Sequence, residues 1–554
     1  MSMTLATTWV RRGVAAQFPT KYEVNEAELN RISKLARLQL EDAQEDLENA
    51  QNPKKSDHDD DESADSDSDT GVPTGAGETQ SSSKPAAEDE MDDLKEYNLD
   101  DYDNEEVDEK GEKFAMFGNV GSLAYHAPHE KDPYLVLPEG EQDSDDEREE
   151  LQILPSDNLI LAAKVEDEVA HLEVFVYEDE ADNLYVHHDI MLPAVPLCVE
   201  WINFPVGDNS GRTEGNFVAV GTMSPEIEVW DLDVVDSMYP NAILGQEPAA
   251  EDQDESKKKS KKKKKKSKAN DEYHVDAVLA LAANRHHRNL LASASADKTV
   301  KLWDLNTGKC AKSYNMHSGK VCALDWHPTE TTVLLSGSYD RNVVATDMRA
   351  PDAVAPRWIV EADVEKVKWD VHDPNFFYVT TEGGTVHYFD ARVVPTSHDT
   401  PSKPVWTLQA HDGAVSAFDI NPTVPGLLAT GSDDKKVKLW NVEDNKPSMV
   451  VSRNLDVGRV FSVQFAPDPE VAFRLAVAGS KGQLQVWDIS TNPSVRNVFA
   501  GKVKLPESTG KERLVGIKDD GDDESDDDEE DEAGGEGGVQ TAASGQDWES
   551  MDED

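Results

Sequence analysis

Three histidines in this chain each stand 23 positions before an aspartate: His274 before Asp297, His317 before Asp340 and His411 before Asp434. A histidine held by a carboxylate is the general-base half of a hydrolytic triad, so the spacing invites a catalytic reading. Repetition argues against it. Catalysis uses such a dyad once, whereas here the offset occurs three times, and six residues beyond each aspartate lies Trp303, Thr346 or Trp440. The pattern fits a structural corner better: an Asp in a turn bonds back to a His in the preceding loop, with an indole packed behind them.

Two other stretches carry side chains with chemistry to offer. Lys257, Lys258, Lys259, Lys261, Lys262, Lys263, Lys264, Lys265, Lys266 and Lys268 form a run within an insert spanning 246–273. Clustered lysines bind polyanions by counterion release with little sequence preference, so this is a candidate nucleic-acid contact or a nuclear or nucleolar address. A solvated loop is the plainer alternative. In DDLKEYNLDDYD, Leu94, Tyr97, Leu99 and Tyr102 sit among carboxylates. Aromatics are costly in a purely solvating linker, so these four are candidate anchors of a docking peptide for a basic partner surface, the alternative being a locally collapsed linker.

The corners must be positioned by short strands. From His274 to Leu305 the apolar residues fall in three brief runs, Val278 to Leu281, Leu290 to Ser293 and Val300 to Trp303, separated by polar turns. Units of this kind recur at about 40 residues, the WD40 pattern of four strands per propeller blade. Counting LCVEWINF, VCALDWHP, VEKVKWD, AVSAFDI and FSVQFAP as further blade starts predicts an all-β, seven-bladed WD40 propeller over 155–500. The blade that begins with NLILAAKV lacks an inner strand. Residues 1–10, with the strand-like MTLATTWV, are expected to supply it, which makes 11–154 one long insertion. Asn25 with Glu28 is a helix-capping pair, and Leu29, Ile32, Leu35 and Leu38 make one apolar stripe, so the insertion opens on a helix.

Net charge is −58, and 52 of the 112 acids fall in residues 41–108, 139–150 and 519–554 with only 5 bases. Such tracts are too poor in apolar residues to fold alone, which predicts a disordered acidic insert and a disordered acidic tail over 501–554. Ser66, Ser68, Ser144 and Ser525 are followed by acids, the setting an acidophilic kinase prefers. Cys198, Cys310 and Cys322 show no CxxC or paired framework, which fits a reducing compartment and neither metal nor disulfide chemistry. No apolar run reaches membrane-spanning length and no signal-peptide core opens the chain, so a soluble intracellular protein is expected. No phosphate loop, metal cluster or nucleophile elbow stands out; no catalytic residue, cofactor, metal or small-molecule substrate is expected.

WVRRGVA, EYNLDDYD, SDNLILAA, LEVFVY, LYVHHDI, PLCVEWINF, EIEVWDLD, the lysine insert, LASASADKTVKLWD, LLSGSYDRNV and LQVWDIS together resemble the periodic tryptophan protein one family of WD40 proteins, in order from the first residues to about residue 500. The resemblance implies a nucleolar, non-enzymatic assembly factor that joins early precursors of the large (60S) ribosomal subunit and supports pre-rRNA processing. Its expected partners are proteins of the pre-ribosomal particle, large-subunit ribosomal RNA and basic ribosomal proteins. The alternative is a chromatin-associated WD40 protein whose acidic arms take up histones, since a polyanion does not distinguish the two kinds of basic protein.

Overall fold

The computed structural model describes residues 2–22, 24, 28, 151–207, 214–246, 270–350, 353–395, 400–503 and 511–516. Blade three shows why the sequence folds as it does. Its strands Val278–Ala283, Leu290–Ser295 and Val300–Asp304 are covered on both faces by neighbouring blades and read as nearly unbroken small and apolar runs. The fourth, Lys309–Tyr314, lies at the rim, where KCAKSY keeps only Tyr314 fully buried. Seven such four-stranded antiparallel sheets follow in order. Each inner strand packs beside those of its neighbours, and the seventh beside the first, so the ring closes.

Blade one takes its inner strand from the start of the chain, as the sequence predicts. Ser2–Val10 pairs antiparallel with Asn158–Glu166, Thr4 opposite Lys164 and Val10 opposite Leu159. The next residues were not expected to be structured, yet they run beneath the ring. Arg12 donates to the Asn158 Oδ1 at 2.7 Å, the Ala16 amide to Asp233 at 2.9 Å, and Thr20–Lys21 pairs in parallel with Val234–Val235 of blade two. The insertion therefore departs from an arm already fastened to two blades.

The boundary expected at residue 500 is corrected by the structure. Arg513–Gly516 is the outer strand of blade seven, with Leu514 opposite Trp487. A four-residue strand beside an acidic tract carries little periodicity, and Pro493–Phe499 intervenes as a helix that buries Val495 and Phe499. Other readings lie outside the described residues: the helix from Asn25 apart from Glu28, the peptide at Leu94, Tyr97, Leu99 and Tyr102, the lysine run at 257–268, and the tail beyond 516.

Topology assigns the departure points to faces. In a four-stranded antiparallel blade, turns from first to second and third to fourth strand share one face, while second-to-third turns and blade-to-blade connections share the other. The insertion after Tyr22, which returns by Leu151, belongs to the first face. The connection from Gln246 to Asn270 and the chain beyond Gly516 belong to the second.

Candidate functional site

The three His–Asp pairs meet at matching corners. His274 Nδ1 lies 2.9 Å from Asp297, His317 Nδ1 3.3 Å from Asp340 and His411 Nδ1 2.9 Å from Asp434. The indole does more than pack behind them. Ser293 Oγ lies 2.7 Å from His274 Nε2 and accepts from Trp303 Nε1 at 2.8 Å, and Thr430 repeats this between His411 and Trp440 at 2.7 and 2.9 Å. These hydroxyls were missed in the sequence although the signal was present: Ser293, Ser336 and Thr430 each follow their histidine by 19 positions. In blade four, Ser336 meets His317 at 2.8 Å, but Thr346 replaces the indole and donates to the Met316 sulfur.

Protonation follows from the donors available. Trp303 can only donate, so the Ser293 hydroxyl accepts from it and donates to His274 Nε2, while the Nδ1–H of His274 donates to Asp297. Burial holds His274 and His411 below the usual imidazole range in spite of their aspartates. Burial opposes ionisation of Asp297, yet bonds from His274 and Thr299 outweigh it and hold the carboxyl at about 2. A neutral, sealed histidine whose lone pair is occupied cannot accept a substrate proton, so the relay is a fastening.

Charged side chains also line the central channel, a cavity of about 440 Å³. Glu200, Asp325, Lys368 and Asp419 occupy one level of their inner strands, directly before Trp201, Trp326, Trp369 and Ile420 respectively. The carboxylates reach forward to the next blade: Glu200 accepts from the Ala283 amide at 3.2 Å, Asp325 from Trp369 at 2.6 Å and Asp419 from Phe465 at 2.7 Å. Lys368 pairs with Asp419, and Arg285 with Glu200 at 2.8 Å. Burial pushes Asp325 up to about 7 against the pull of Lys368. These pairs and the interblade hydrogen bonds tie neighbouring inner strands together, so the charged groups of the channel stiffen the ring.

The three cysteines are free thiols, and burial pushes Cys198 up to about 12 and Cys322 higher. Among the described residues no group of His, Cys, Asp and Glu is arranged to hold a metal ion, and no helix is long and apolar enough to cross a membrane.

Seven four-stranded sheets in a closed ring, three of them carrying the same His–Asp corner, define a WD40 β-propeller, and the WD domain, G-beta repeat family matches residues 267–304, 308–345 and 402–441. The chain is 48% identical over 522 residues to an uncharacterised WD repeat-containing protein of Schizosaccharomyces pombe, covering 94% of this chain and 95% of that one. It is 39% identical to periodic tryptophan protein 1 of Saccharomyces cerevisiae, covering 92% of each, and 32% identical to the Drosophila melanogaster periodic tryptophan protein 1 homolog, covering 89% and 95%. The chain belongs to the periodic tryptophan protein 1 family.

Proposed function

We propose that this chain is a non-enzymatic scaffold of large-subunit ribosome assembly, working in the nucleolus on early precursors and supporting pre-rRNA processing. Kinship with the periodic tryptophan protein 1 family carries the reading. The architecture supports it: a ring stiffened by corner relays and interblade carboxylates is a platform, and its work is binding and placement. The acidic insertion departs from one face while the lysine-bearing connection and the acidic tail depart from the other. Such a platform can hold ribosomal RNA through the lysine-bearing connection and basic ribosomal proteins through the acidic insertion on the opposite face at the same time. Leu94, Tyr97, Leu99 and Tyr102 are proposed as the anchor for a particle protein, and the ten lysines as the RNA contact or nucleolar address.

Sedimentation of a tagged chain from nuclear extract tests this. Comigration with large-subunit precursors at about 0.1 M salt is expected, and loss of that comigration on nuclease treatment would mark RNA as a contact. Comigration with nucleosomes alone would overturn the reading in favour of histone binding.

A further inference from the structure

Blades four and five are clasped at their outer rim by a loop. The connection from Asp390 to Trp406 of blade five crosses to the outer strand of blade four, Arg357–Ile359. Trp358 Nε1 donates to the Val393 carbonyl at 3.2 Å. The Ser402 amide donates to the Ile359 carbonyl at 2.8 Å and the Ile359 amide to Ser402 Oγ at 2.9 Å, so Ser402 continues the edge of a three-residue strand. Ser402 is buried, while Val394, Thr400, Pro401 and Lys403 on either side of it are exposed.

The order Thr400, Pro401, Ser402, Lys403 has chemical meaning. Pro401 has no N–H and steers Thr400 into extended backbone, the form in which a chain lies along a kinase cleft. Lys403 puts an exposed cation three residues past the Thr400 hydroxyl. Only two Ser or Thr residues of the sequence stand before a proline, Thr400 and Ser224. Ser224 sits in the tight turn between the second and third strands of blade two. Its amide bonds to Thr222 Oγ1 at 3.1 Å, and Ile227, three residues past it, is fully buried. A cleft cannot take that turn without unpairing the blade, whereas it takes Thr400 once Ser402 lifts from its neighbour.

We propose that Thr400 is a phosphorylation site for a proline-directed kinase that also reads a base three residues on. Thr400 Oγ1 attacks the γ-phosphorus of ATP, the bond from that phosphorus to the β-phosphate oxygen breaks, ADP leaves, and the hydroxyl proton passes to the kinase's carboxylate base. Ser402 sets the rate, because the segment from Thr400 to Lys403 enters the cleft only after both hydrogen bonds to Ile359 are broken. The product carries a charge of about −1.5 to −2 at neutral pH. It turns a rim on which Val393, Val394 and Val405 are exposed from an apolar surface into an anionic one, and so changes which partner that rim can take. The inference goes beyond the assembly reading and stands apart from it, since phosphoryl transfer is read on the isolated chain and comigration in an extract.

The test uses the purified full chain with ATP, magnesium and a cyclin-dependent kinase, with initial rates measured and phosphopeptides mapped. Thr400 is expected to take the label; T400A should lose it and S224A should keep it. K403A should lower kcat/KM about tenfold, the size expected of one charge-assisted hydrogen bond. S402A removes one of the two hydrogen bonds of the clasp and should raise kcat/KM a few-fold, since less holds the segment on blade four. Thr400 and Lys403 are exposed, so an unchanged melting temperature for T400A and K403A shows that the chain is folded in each. Label at Ser224 in place of Thr400, no label on the folded chain, or equal rates for the parent, K403A and S402A would overturn the proposal.

Discussion

The hydroxyl of Thr7 lies 2.8 Å from that of Ser462, 455 residues along the chain, and this contact marks the seam where the ring closes. Beside it Trp9 Nε1 donates to the Gln464 carbonyl at 3.1 Å, and Asn158 and the Arg12 amide share Asp468. Blades one and seven keep separate hydrogen-bonded sheets, and at the centre of the ring they are joined by side-chain contacts of their inner strands.

Because the first ten residues form one wall of that seam, their removal should lower the melting temperature by several degrees or more. The finer probe is Trp9→Ala, which removes an indole only 5% exposed and leaves the Gln464 carbonyl without its donor. Deletion of so large a buried side chain costs about 3 to 5 kcal/mol. Urea unfolding followed by tryptophan fluorescence measures it, and a loss below about 1 kcal/mol would show that the seam does not limit stability.

Arg474 fastens the same seam nearer the rim. It meets Asp179 of blade one and Asp488 of its own blade at 2.6 Å each, with its side chain 7% exposed. Arg474→Met leaves two poorly solvated carboxylates with Arg513 as their remaining, more distant cation, at 3.5 and 3.8 Å, and should cost about 3 kcal/mol. Arg474→Met combined with Asp179→Asn should recover part of that loss, and a double-mutant cycle showing no coupling would refute the pairing.

The corner relays differ by blade in a way that can be measured. Ser293→Ala orphans both His274 Nε2 and Trp303 Nε1, a loss of about 2 to 4 kcal/mol, whereas Ser336→Ala orphans only His317 and should cost about half as much. Equal losses would mean that the indole is not part of the relay.

Acid should loosen the corners in two stages. His274 has its folded value below the unfolded one, so the unfolded state gains more protons and stability declines as pH falls below about 6.5. Asp297, also depressed, contributes fully above about 4 and loses its contribution as pH falls toward about 2. The shift to about 2 is equivalent to about 2 kcal/mol. Asp297→Asn should therefore destabilise most near neutrality and converge with the parent below about pH 2, as read by urea unfolding across that range. A constant difference across that range would contradict the assignment.

Much of this was legible in the linear chain. The 23-residue offset from His to Asp, the 19-residue offset to Ser or Thr and the apolar runs between them are local, because one blade is built from about 40 consecutive residues and its corner closes on itself. Even the return of residues 2–10 could be read, since NLILAAKV opens a blade that lacks an inner strand. What tertiary structure alone decided lies between blades: the partner of Thr7, the closing role of Arg474, the forward reach of Glu200, Asp325 and Asp419, and the clasp of Ser402 on Ile359. These depend on which strand of the next blade stands opposite, a relation fixed by the curvature of the closed ring and by no repeat in the sequence. The outer strand at Arg513–Gly516 escaped notice for a related reason: four residues at a rim, exposed on one side, gain their strand conformation from the neighbour they pair with.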